Sequence, residues 1–200
     1  MTRLKVAGLA LVMTACATAR IPRIGGDPPP ADRDPALESA YQQTLERATR
    51  SQGIYDLLDT RLFVYATWES PAFVEARVTR YGRFRALPVE ELRASMEAER
   101  QRLSDVVEFH LAVHANDPRM DDFDRPSSMW RLALVVDGKE YAPKLIERIG
   151  RTNTEQRSYY SYMEPFWVGY RVRFPKVDTQ AMTLKIASAA GKAELTFAGE

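Results

Sequence analysis

The stretch DVVEFHLAVHAN, residues 105–116, alternates apolar and polar residues, and a period of two fits an extended strand that buries one face. Val107, Phe109, Leu111, Val113 and Ala115 fall on one side. Glu108, His110, Ala112, His114 and Asn116 fall on the other, as expected of a half-buried antiparallel strand with a solvated polar face. MWRLALVVDGKEY repeats the pattern with Trp130, Leu132, Leu134 and Val136 inward, and Asp137-Gly138 supplies a hairpin turn. PFWVGYRVRFP sets Phe166, Val168, Tyr170, Val172 and Phe174 against Trp167, Gly169, Arg171 and Arg173, and AMTLKIASAAGKAELTF reads as a last hairpin. Earlier, TRLFVYATWES is apolar on both faces, which predicts a strand covered on both sides. Six or seven short strands, most of them late in the chain, predict an antiparallel β-sandwich of the immunoglobulin-like kind.

Helical spacing occupies the gaps. ALESAYQQTLERATR places Leu37, Tyr41, Thr44, Leu45 and Ala48 on one face, with Pro35 suited to the first turn. Pro71 opens a second helix to about Phe84, and Pro88 opens a third, whose glutamates 90 and 91 and arginines 100 and 102 match the helix dipole. The expectation is one domain over 36–200, with an N-terminal helix and a helix pair inserted after the first strand at about 71–104. A chain of this length that is 45% hydrophobic and 10% aromatic can build one substantial core.

The beginning of the chain has another character. Arg3 and Lys5 precede an apolar run from Val6 to Met13, far short of the roughly 20 residues that cross a bilayer, so residues 1–15 read as an export signal. The run Met13-Thr14-Ala15-Cys16 resembles the lipobox of bacterial lipoproteins, a likeness confined to about the first twenty residues. The resemblance implies cleavage before Cys16, acyl chains on that residue, and attachment to the bacterial cell envelope. Ala17, where an aspartate would retain the protein in the inner membrane, implies delivery to the outer membrane. Cys16 is the single cysteine, which leaves no disulfide and no catalytic thiol. Residues 16–35, rich in Pro, Gly and Asp without apolar periodicity, read as a disordered tether. The body carries no motif that names a family.

Charge and motifs narrow the function classes. Loss of Arg3 and Lys5 with the signal takes the formal charge from +1 to −1, which gives no electrostatic case for nucleic acid. His110 and His114 are the only histidines. Four residues apart on a strand is about 13 Å, too far for one metal ion to bridge. Asp117, Asp121, Asp122 and Asp124 lie in an acidic loop that lacks the spacing of a calcium-binding loop. No G-x-S-x-G elbow, flanking carboxylate pair or phosphate-binding glycine loop occurs, and no cofactor is expected. Alternation turns Trp167 outward beside Arg171 and Arg173; such aromatics ordinarily lie under a second sheet or an insert, but these residue types also dominate interface hot spots, so the face is the candidate partner-binding surface. The sequence thus predicts a lipid-anchored, non-catalytic binding or structural module that meets the membrane through its N-terminal lipid and an envelope protein through this face. Two alternatives stand beside it. One is a metal-dependent hydrolase using His110, His114 and the nearby aspartates; the other is an assembly helper whose free edge accepts a partner's strand.

Overall fold

The computed structural model describes residues 28–56, 59–178 and 181–198. The signal segment, Cys16 and most of the tether lie outside them. The body is a sandwich of two antiparallel sheets. Strands β1 (Thr49–Asp56), β2 (Asp59–Trp68), β3 (Val106–Ala115), β6 (Leu145–Arg151) and β7 (Val168–Pro175) form a five-stranded sheet in the order β1-β2-β3-β7-β6. Strands β4 (Arg131–Val136), β5 (Lys139–Tyr141), β8 (Ala181–Ser188) and β9 (Gly191–Ala198) form a four-stranded sheet in the order β5-β4-β8-β9.

The alternation read from the sequence is what fills the space between the sheets. Leu62, Val64 and Ala66 of β2, Phe109 and Leu111 of β3, and Tyr170, Val172 and Phe174 of β7 meet Leu134, Leu184, Ile186, Leu195 and Phe197 from the other sheet, all buried. The Asp137-Gly138 hairpin closes as expected, with Val136 opposite Lys139 and both turn residues at positive φ. Along one side the sandwich is held shut where Arg50 Nε donates to the Thr196 carbonyl at 3.0 Å and the Glu194 amide donates to Gln52 at 2.8 Å. Gly191 starts β9 at φ +135°, where a side chain would strain the backbone and its Cβ would meet Ile54 at 2.5 Å.

A third layer covers the outer face of the five-stranded sheet. It consists of α1 (Pro35–Ala48), α2 (Pro71–Phe84), α3 (Val89–Arg102) and the short α4 (Thr154–Tyr159) with the loop after it. Asp34 caps α1 and Ser70 caps α2, each just ahead of a proline in the first turn. Tyr41, Leu45, Ala48 and Phe73 pack on Ala112, Trp167, Tyr160 and Met163. The polar face expected on β3 is therefore not solvated: Glu108 and His110 are each only 4% exposed, because the apolar stripes of α1 and α2 need that same face.

Three other features differ from the sequence reading. β1 follows α1 directly; its TRSQGIYD sequence has no alternation, and pairing with β2 supplies its order. The helix pair consequently follows the second strand of the chain rather than the first. β6, LIERIGR, is a further strand that the sequence reading did not anticipate, and it pairs with β7 through a bulge between Arg148 and Gly150. The tether's last residues are fixed: Arg80 donates to the Pro30 carbonyl at 2.9 Å, and Arg83 pairs with Asp32 at 2.7 Å.

Candidate functional site

The candidate partner face is covered, as in the alternative reading of its aromatics, and Trp167 does not serve as an exposed anchor. Trp167 does point away from the sandwich core, yet it is 1% exposed, because α1 and the 159–163 loop roof that face. Its ring packs 5.4 Å from Tyr65 and 6.0 Å from His114. Phe166, expected inside, is 68% exposed at φ +72°; strand β7 begins only at Val168, so alternation does not reach it. Arg171 is engaged by Glu147 at 2.7 Å and Arg173 by Glu108 at 2.5 Å.

The residues proposed for a metal do not converge. His110 lies under Tyr160, and His114 lies against Phe63 and Trp167. Asp117 is held by Arg119 at 2.6 Å, Asp122 by the Ser128 hydroxyl at 2.9 Å, and Asp121 by Arg148 and Tyr170; Asp124 is exposed. Among the described residues no group of three or more His, Cys, Asp or Glu side chains is placed to hold a metal ion. None of the described helices is long and apolar enough to cross a membrane.

What the covered face of β3 does contain is a polar pocket of about 340 Å³, between the sheet and the helical layer. Its upper wall is a relay of opposite charges. Tyr160 donates to Glu69 at 2.6 Å, and Arg77 bridges Glu69 at 3.0 Å and Glu99 at 2.6 Å. Arg102 then joins Glu99 at 2.8 Å to Glu108, which also takes Arg173 at 2.5 Å. Burial alone would raise the Glu99 carboxyl, but the hydrogen bonds and charges of Arg102 and Arg77 outweigh it and carry the pKa down to about 2. Burial, reinforced by the Glu69 charge, holds the Tyr160 phenol well above its ordinary value, so it stays a donor. Every buried charge in the relay thus meets at least one of opposite sign, as buried charges require.

The floor is different. His110 stacks on Tyr160 with centroids 3.6 Å apart, and its Nδ1 lies 3.3 Å from the Tyr162 hydroxyl, which in turn contacts Thr67 at 2.7 Å. Desolvation, aided by the Arg77 and Arg171 charges, pushes the imidazole down to about 3, so it is neutral. Its Nε2 is buried with no hydrogen-bond partner. Gln156 closes a capping box with Asn153, which engages its backbone amide and its side-chain oxygen, while Nε2 is left buried and unpartnered. Both nitrogens flank one point: a Cβ on Gly169 would stand 2.9 Å from Gln156 Nε2 and 3.3 Å from His110 Nε2. The bare backbone of Gly169 thus packs against two nitrogens that each lack a partner.

Comparison of the chain with protein-family models, with curated proteins and with solved structures found no match.

Proposed function

We propose that the chain is a lipid-anchored, non-catalytic binding module of a bacterial envelope, and that its ligand is a small neutral molecule presenting an acceptor oxygen, an amide carbonyl above all. The observation that carries the ligand reading is the pair of unpartnered nitrogens on either side of Gly169. A buried N–H left without an acceptor costs about 1–3 kcal/mol, so two of them in one pocket mark a place for an acceptor. The reading takes Nδ1 of His110 as the acceptor from Tyr162, which puts the hydrogen on Nε2 and leaves it, like Gln156 Nε2, in need of an acceptor. The ionic groups above are engaged with one another, which favours an uncharged ligand over one that needs a counter-charge. The pocket volume of about 340 Å³ lies at the small end of ligand sites. The anchor rests on Met13-Thr14-Ala15-Cys16 alone.

Two measurements test the two halves. Saturation-transfer NMR with N-acetylglycinamide and N-acetylglucosamine should show contact that is lost in Gly169→Ala and is weaker for acetate. Binding of neither probe, or binding indifferent to Gly169→Ala, rejects the ligand reading. Mass spectrometry of membrane-extracted protein should find an acylated N-terminal Cys16, and an N-terminus elsewhere or without acyl mass rejects the anchor.

A further inference from the structure

α3 is fourteen residues long and buries none of them. A helix ordinarily docks by covering an apolar stripe, and most helical stability in proteins comes from that packing. This one is held instead at its ends. Near its start Leu92 sits on Gly82, so closely that a Cβ there would come within 2.7 Å of it. Near its end Glu99 and Arg102 clasp Arg77 and Glu108. Met96, between the clasps, and Leu103, just past the helix, line an apolar cleft of about 310 Å³, whose other walls include Trp68, Val74, Val177 and Met182. Protein interiors are close-packed, and an apolar void stays dry and takes up apolar guests. The half-buried side chains of the helix therefore line a chamber they do not fill.

We infer that this chamber under α3 binds one linear acyl chain of about ten carbons carrying an anionic head, independently of the polar pocket. At ~30 Å³ for each water-sized group, 310 Å³ has room for about ten such groups. Four charged residues border the chamber. Glu69 is engaged by Arg77 and Tyr160, which leaves exposed Arg100 and Lys176 against exposed Glu75. The rim is net positive, and Arg100 has only a long 3.8 Å contact with Glu97 to compete with a carboxylate. An alkyl body meets the apolar walls and a negative head meets the rim. The helix stays clasped through Glu99 and Arg102, and the chain enters at the rim.

Trp68 in the wall makes the test optical. Titration of the full chain with 11-bromoundecanoate should quench tryptophan fluorescence saturably, and most of that quenching should vanish in Trp68→Phe. Isothermal titration with decanoate should show at least a tenfold loss in Met96→Glu, a substitution on a helix that buries nothing and whose fold is checked by circular dichroism. Lys176→Glu should weaken decanoate several-fold and leave the neutral decanol unchanged. Gly169→Ala should leave decanoate affinity intact, which separates this site from the polar pocket. The inference is overturned by quenching that never saturates or survives Trp68→Phe, or by Met96→Glu binding as well as the parent. Equal or tighter binding of decyltrimethylammonium or of compact 1-naphthoate overturns it too.

Discussion

The imidazole of His110 and the phenol of Tyr160 lie face to face, 3.6 Å between centroids and 4° from parallel. The stack joins the end of α4 to the middle of β3 and shuts the imidazole away from water. Because that ring is neutral when folded, it makes folding sensitive to acid. An unfolded histidine titrates near 6.5 and the folded one at about 3, so between those values the unfolded chain alone takes up the proton. Stability should fall as pH drops below 6.5, by up to about 1.4 kcal/mol per unit. Glu99, held at about 2 against an ordinary 4.5, adds acid sensitivity only below 4.5. Urea denaturation between pH 6.5 and 4.5 should therefore show a slope that flattens in His110→Gln, the remainder coming from His114, which burial also pushes down. Identical slopes for parent and variant would contradict this.

Gly169→Ala should cost about 1–3 kcal/mol by overpacking, since its Cβ would stand 2.9 Å from Gln156 and 3.3 Å from His110. Equilibrium unfolding measures the loss. A neutral or stabilising result would mean that both side chains retreat freely.

Trp167→Ala is a core substitution here, not a surface one. With the ring 1% exposed among Tyr65, His114 and the helical layer, the expected loss is about 3–5 kcal/mol. Phe166→Ala, at a residue 68% exposed, should change stability by less than about 0.5 kcal/mol. Reversed magnitudes would refute the assignment of faces.

Arg80 is buried between the rings of Tyr41 and Phe84, at 4.3 and 4.7 Å, and it holds Glu38 at 2.6 Å, the Ser158 carbonyl at 2.7 Å and the Pro30 carbonyl at 2.9 Å. Arg80→Ala removes the partner of a half-buried carboxylate and should destabilise by about 3–5 kcal/mol. Lysine cannot span the fork of acceptors, so Arg80→Lys should rescue little. Full recovery by lysine, read in thermal unfolding, would show that charge alone matters.

The sheets were legible because their inner faces obey strict alternation: the parities of Phe109, Leu134, Tyr170 and Leu184 all name the core correctly. β1 and β6 were not, because TRSQGIYD and LIERIGR owe their extension to hydrogen bonds from β2 and β7, a long-range cause that leaves no periodic mark. The polar pocket was hidden for a related reason. Glu108 and His110 read as solvent-facing because alternation reports which side of a sheet a residue takes, not what covers that side. Only Tyr41, Leu45 and Phe73, themselves looking for somewhere to pack, hinted at a roof. The orphaned nitrogens of His110 and Gln156 come from segments 46 residues apart in the chain and had no local signature.

The grip of Arg80 on Pro30, with Arg83 on Asp32, sets where the leading segment departs from the body, at the C-terminal end of α2. The chamber walled by Val74 opens near the helix's other end. The nine-residue step from Val74 to Arg83, at about 1.5 Å per residue, puts roughly 14 Å between them. Where the leading segment leaves the body is thus fixed relative to the cleft under α3, with α2 as the strut between the two.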